Sequence, residues 1–203
     1  MNKEKLDLYR IINNLTRIFI IISIITFAVK GQYYNVWLLA IAFVLTFYDF
    51  FVKKIVKIEL STNVKLSILL LMVLSQVLGS AFDWYGKFHW WDTAVHGISG
   101  TISFFIGLDL INKINDKLSK NKIHPAIQIL FALCFALAIP ALWEIFEFGE
   151  DKFLKLNVQN TKGLIGQDAI WDSIEDMLSA TIGATIGTIY QIIKTKKEIR
   201  KQE

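Results

Sequence analysis

Residues Asp83 to Gly100 read DWYGKFHWWDTAVHGISG. Two acids, two histidines and three tryptophans fall within these positions, and a long apolar segment lies on either side. Asp92 and His96 stand four apart where the polar loop turns into helix, so they share one helix face. A polar, aromatic loop between two apolar runs of membrane-spanning length marks a chain that leaves a bilayer and re-enters it. Two later segments, WEIFEFGED (143–151) and DAIWDSIEDM (168–177), repeat the mixture of tryptophan and carboxylates. These three stretches are expected to meet on one side of a membrane.

The composition agrees with that expectation. Of 203 residues, 54% are hydrophobic, above the usual apolar share of a globular chain. The charged residues cluster between long apolar runs instead of being spread along the chain. The net charge of +4 would suit a nucleic-acid partner if the cations formed a patch. Here they flank apolar segments, so no nucleic-acid partner is expected. The single cysteine, Cys134, permits no intrachain disulfide and is read as packing within its helix.

Six spans are expected, at about 11–29, 35–52, 64–82, 92–111, 125–148 and 170–193. The basic start MNKEKLDLYR precedes the first span with no small-residue cleavage site after it, which reads as a retained signal anchor. His124-Pro125 opens the fifth span, and Pro140 is expected to kink it. No linker, repeat or strand-like alternation interrupts the pattern. The fold class is therefore all-α: a polytopic membrane helical bundle forming a single integral membrane domain over 1–203.

Counting Lys and Arg gives an orientation. With both termini cytoplasmic (N-in/C-in), the outer segments hold only Lys30, Lys87, Lys152, Lys155 and Lys162, leaving 17 of the 22 cations inside. The same arrangement puts all six tryptophans near the outer interface. It also puts ten of the 18 acids there, from Asp83 through Asp176.

On the fourth span Asp92, His96, Gly100, Ser103 and Gly107 follow three- and four-residue steps along one face. On the sixth, Asp172, Asp176, Ser179, Gly183 and Gly187 do the same. Small and polar residues on a membrane helix normally face other helices. Glu144 and Glu147 are neighbours near the end of the fifth span, and Gln76, Ser80 and Asp83 form a shorter stripe on the third. Capping is the competing account for Asp92 and Asp172, each of which stands in a Trp-Asp-Thr/Ser triplet at an expected helix start. Asp172 with Glu175 resembles a capping box. Capping does not account for His96 and Asp176 one turn deeper. Glu144 and Glu147 lie at a helix C-terminus, where the dipole disfavours negative charge. A carboxylate within a span costs on the order of 2.5–3.5 kcal/mol, so these acids need compensation.

Three readings stand side by side. A divalent cation (Mg, Mn, Ca or Zn) could be held by Asp92, His96, Glu144, Glu147, Asp172 and Asp176. The carboxylates could instead share protons, or the cluster could serve packing alone. Elsewhere, Arg17 and Asp49 are read as a structural pair near the inner ends of the first two spans, and Asp109 as structural. His89 is read as solvated and His124 as an inner-loop residue.

With Trp91-Asp92-x-x-x-His96, Glu144 and Glu147, and Asp172-x-x-x-Asp176 in place, the chain resembles the YjdF-like family of predicted bacterial inner-membrane proteins. The resemblance covers roughly 80–190. The order Asp and His, then Glu, then paired Asp is also similar, more distantly, to the VanZ-like proteins, although the Asn expected from that pattern is missing from the late helix. The resemblance implies a multi-pass protein of the bacterial inner membrane and supports the choice of site residues. It implies no particular reaction.

The expected activity is that of a divalent-metal-dependent membrane enzyme, a hydrolase or transferase. Its site faces outside and its substrate is a membrane lipid or lipid-linked envelope intermediate. Glu147 or Asp176 is expected to act as general base. The alternatives are a proton- or cation-coupled transporter and a non-catalytic envelope-stress or scaffold protein. Nothing in the sequence addresses oligomeric state.

Overall fold

The structure, a computed structural model, describes residues 3–55, 57–154 and 168–200. Every regular element among them is helical. In chain order these are α1 (Lys3–Val29), α2 (Tyr33–Leu45), α3 (Tyr48–Ile55), α4 (Thr62–Met72), α5 (Trp84–Lys87), α6 (Trp90–Lys117), α7 (Pro125–Gly149) and α8 (Asp168–Ile199). A π-helical segment, Val73–Ala81, continues α4, and a second, Glu150–Leu154, continues α7. The all-α expectation holds.

Among the described residues four helical stretches are long and apolar enough to cross a membrane: Glu4–Val29, Thr62–Ala81, Trp90–Lys117 and Pro125–Phe153. The second expected span, 35–52, is broken. Its two halves, α2 and α3, bend by 47°, and together they bring the number of spans to as many as five. The sixth expected span lies in α8, which has 32 residues but is not among the stretches apolar enough to qualify. Its Gly, Ala and Thr residues and its charged ends lower its mean hydropathy. Exposed side chains support the membrane reading. Leu15, Ile18, Ile22 and Ile25 on α1, and Leu130, Leu142 and Ile145 on α7, all point away from the protein. Such surfaces suit lipid and would be unfavourable in water.

The chain divides into two compact units, residues 1–95 and 96–203. The first is built on α1, α2 and the α4–π helix around Tyr9, Ile20, Leu39, Ala42, Leu69 and Val77. Neither Pro nor Gly causes its broken span. At Thr46, buried at the C-terminus of α2, the main-chain carbonyl accepts from Asn13 Nδ2 (3.2 Å) and Arg17 Nη2 (3.1 Å). Helix-end carbonyls need such partners, and α1 supplies them. Asp49 then pairs with Lys65 at 3.0 Å, so the expected Arg17–Asp49 pair does not form. The π-helical segment ends at Ala81, so Asp83 falls outside the helix that carries Gln76 and Ser80 and the expected stripe loses its third member. Asp83 ends exposed, in a left-handed turn with φ 59°.

The second unit packs α6, α7 and α8 around Phe104, Leu108, Ile111, Ala132, Ala136 and Ala184. Pro140 lies buried inside a continuous α7, and His124 Nδ1 accepts from Ala126 N–H at 3.2 Å to cap that helix. Lys113 pairs with Asp109 at 2.9 Å. Cys134 is exposed on α7 and does not pack in the core as expected.

Candidate functional site

The geometry of the site begins with glycine. A Cβ on Gly100 would run into the main chain of Ala180, and one on Gly183 into the carbonyl of Gly97. The two backbones therefore meet directly, a contact only glycine permits. Thr101 Oγ1 adds a hydrogen bond across the seam to the Gly183 carbonyl at 2.9 Å. One step further on, Phe104 sits where a Cβ on Gly187 would fall. The paired positions 97 with 179, 100 with 180, 101 with 183 and 104 with 187 rise together, so α6 and α8 run in the same direction. This close parallel contact leaves little freedom in the turn that precedes it.

That turn carries His96 and Asp176. Both are buried, and His96 Nε2 lies 3.7 Å from Asp176 Oδ2. Asp92, one turn earlier on α6, completes a group of three. Each residue offers one ligand atom, and the three atoms lie within 4.8 Å of one another. Asp92 stands in the first turn of α6, where the helix dipole favours a carboxylate. The start of α6 is itself anchored within the first unit. Trp91 is buried and donates its Nε1–H to the Leu74 carbonyl at 3.2 Å. Its ring packs edge-on against Trp84 and Trp90.

The other three expected site residues lie outside this group. Glu144 on α7 is 7% exposed, and its Oε1 has no hydrogen-bond partner. A buried carboxylate oxygen without a partner is costly. Glu147, one turn on, is half-buried and accepts from Trp143 Nε1 at 2.7 Å. Asp172 lies one turn before Asp176 and is partly exposed. Because α8 begins at Asp168, Asp172 is inside the helix, and the capping account for it fails. Asp92 likewise falls within α6 and not at its cap. His89 is exposed, as expected.

Thr101 was not anticipated as a residue that sets the geometry, whereas Ser179 lies on the stripe expected to face another helix. Ser179 Oγ lies 3.1 Å from where a Cβ on Gly97 would be. The available signal was the recurrence of small residues at 97, 100 and 101 facing 179, 180 and 183.

Two carboxylates and an imidazole converging between helices form a donor set able to hold a divalent cation. The chain is an integral membrane protein built of helices. A family model described as "Predicted membrane protein (DUF2238)" matches residues 12–197. The chain belongs to that family, which is the one the YjdF-like resemblance pointed to. The more distant likeness to VanZ-like proteins finds no support. No curated protein and no solved structure matches the chain.

Proposed function

We propose that this protein is a membrane-embedded enzyme of the bacterial inner membrane. In this reading a divalent cation is held by Asp92, His96 and Asp176, and the substrate is a lipid or lipid-linked envelope intermediate. The observation that carries the reading is the convergence of these three side chains on a rigid parallel helix pair. The imidazole in the set favours Zn or Mn over Mg and Ca, which prefer oxygen-only shells. A bound cation would supply Lewis acidity toward a phosphoryl or acyl oxygen, or lower the pKa of a water. Glu147 is the better general base, since Asp176 is committed to the buried group while Glu147 remains half-exposed. Its hydrogen bond from Trp143 fixes the carboxylate's direction. Glu144, buried with an unpartnered oxygen, is poised to join the ligand set or to hold a substrate proton.

The six-span, N-in/C-in topology belongs to the same proposal. Parallel α6 and α8 start on the same side, as that topology requires. The outward Ile182, Ile186 and Ile189 of α8 suit a lipid-facing helix despite its lower hydropathy. With 17 of the 22 cations on the inner side, the site faces outside. The transport reading ranks below the enzyme because backbone contact at Gly100 and Gly183, with Phe104 beyond, closes the α6–α8 seam beneath the site.

The test is thermal unfolding of chelator-stripped protein in detergent, with Zn or Mn then restored. Wild type is expected to gain several degrees on metal addition, and Asp92→Asn combined with His96→Ala is expected to gain none. Equal responses from the two proteins would remove the metal site from the account.

A further inference from the structure

The break between α2 and α3 opens a second polar site, within the first unit. A cavity of about 250 Å³ lies there, several times the volume of one water. Arg10, Arg17, Lys53 and Lys65 line it with two acids, Asp49 and Glu59, while Arg10 also pairs at 3.6 Å with Asp7, which is not in the lining. Lys65 is matched by Asp49 at 3.0 Å and Lys53 by Glu59 at 3.5 Å. Arg17 is different. Its half-buried guanidinium lies 4.0 Å from the centre of the Phe47 ring. It donates to Thr46 Oγ1 (2.9 Å), the Thr46 carbonyl (3.1 Å) and Asn14 Oδ1 (3.3 Å). All three acceptors are neutral, so the charge of Arg17 stays unmatched by a carboxylate, and two of its five N–H groups remain for a ligand.

Asn13 gives the second, independent observation. It lines the same cavity, is 6% exposed, and its Oδ1 has no hydrogen-bond partner. Turning the amide over would let it accept from the Tyr9 hydroxyl, now 3.5 Å from Nδ2, but would set its oxygen against the Thr46 carbonyl. Its Nδ2 donates to the Thr46 carbonyl at 3.2 Å, and a carbonyl offers no proton to an oxygen put in its place. The cavity therefore presents cationic donors together with a buried acceptor that needs a donor. A bare anion would satisfy the first and leave the second unmet.

We propose that this cavity binds a small phosphate ester carrying a free hydroxyl, with the phosphate on Arg17, Arg10 and Lys53 and the hydroxyl donating to Asn13 Oδ1. A glycerol-phosphate lipid headgroup and its soluble counterpart share that chemistry. The Arg fork matches phosphate oxygens, and the cavity's place at the charged ends of its helices is the depth at which headgroups lie.

The experiment uses the full-length protein in two arms. Native mass spectrometry from nanodiscs of phosphatidylcholine, with and without phosphatidylglycerol, reads lipid retention. Calorimetric titration in neutral detergent with glycerol 3-phosphate, and with inorganic phosphate, reads the soluble ligand. Saturable one-to-one binding is expected in at least one arm, and the arm identifies the source. Asn13→Asp and Lys53→Glu are each expected to weaken it tenfold or more. Lys53 is an exposed rim residue, so Lys53→Glu keeps a folded comparison in hand if Asn13→Asp unfolds. Absence of saturable binding in both arms overturns the proposal. So does binding undiminished in folded Lys53→Glu, or inorganic phosphate bound as tightly as glycerol 3-phosphate.

Discussion

Two buried charged groups in this protein handle charge in opposite ways. In the first unit Lys65, its side chain 3% exposed, has Asp49 at 3.0 Å and Glu59 at 3.7 Å. Cation and acid are matched, and the chain closes the account itself. Around His96 and Asp176, whose side chains are 10% and 5% exposed, a second carboxylate, that of Asp92, converges. The difference separates a structural ion pair from a cluster in which two carboxylates meet one imidazole. A buried pair complete in itself explains its own presence. Two acids gathered around one imidazole are the arrangement on which the proposed cation rests.

The most severe way to break the comparison is to pry α6 from α8. Gly183→Leu would force the Gly97 backbone away. Overpacking of this kind costs about 1–3 kcal/mol and often more where backbone must move. Folded yield in detergent should collapse and metal retention should vanish with it. Lys65→Met should rank next, because it strands Asp49. Breaking a buried pair costs about 3–5 kcal/mol, and the partial exposure of Asp49 puts the expected loss at the lower end. The double variant Lys65→Met with Asp49→Leu should recover much of that loss in a thermal-unfolding cycle. In contrast, Asp92→Asn keeps the side chain's shape and lessens repulsion with Asp176, so metal-free stability should stay within about 1 kcal/mol of wild type.

Smaller effects sharpen the picture. Thr101→Val removes the hydrogen bond to the Gly183 carbonyl and should cost about 0.6 kcal/mol, the typical worth of such a bond between membrane helices. Glu147→Gln keeps an oxygen to accept from Trp143 Nε1. Its unfolding midpoint should not move, while turnover of the eventual substrate should fall by two orders of magnitude or more, the range of a lost general base.

Much of this arrangement was legible in the sequence because it depends on local periodicity. The i, i+4 step from Asp92 to His96, the matching step from Asp172 to Asp176, and the small residues beneath them all follow from helix geometry and composition. What was not legible depends on contacts distant in sequence. The break at Thr46 arises from α1 side chains more than twenty-five positions away that capture a carbonyl, and no breaker residue announces it. The π-helical stretch ends at Ala81, which leaves Asp83 outside the helix that carries Gln76 and Ser80, and no breaker residue announces that end. Lys65 was counted only as one of the 17 inner-side cations, with nothing to mark it as buried and holding Asp49. Capping was weighed for Asp172 beside ligation because Trp-Asp-Ser looks like a helix start, whereas α8 begins one turn earlier.

The central claim is that the Asp92–His96–Asp176 group holds a divalent cation. Elemental analysis of purified wild type beside Asp92→Asn, Glu144→Gln and Asp176→Asn tests it most directly. The account predicts about one Zn or Mn per folded wild-type chain, with occupancy reduced tenfold or more in the Asp92 and Asp176 variants. Folded wild type that carries no stoichiometric metal, and takes up none when Zn or Mn is supplied, would contradict it.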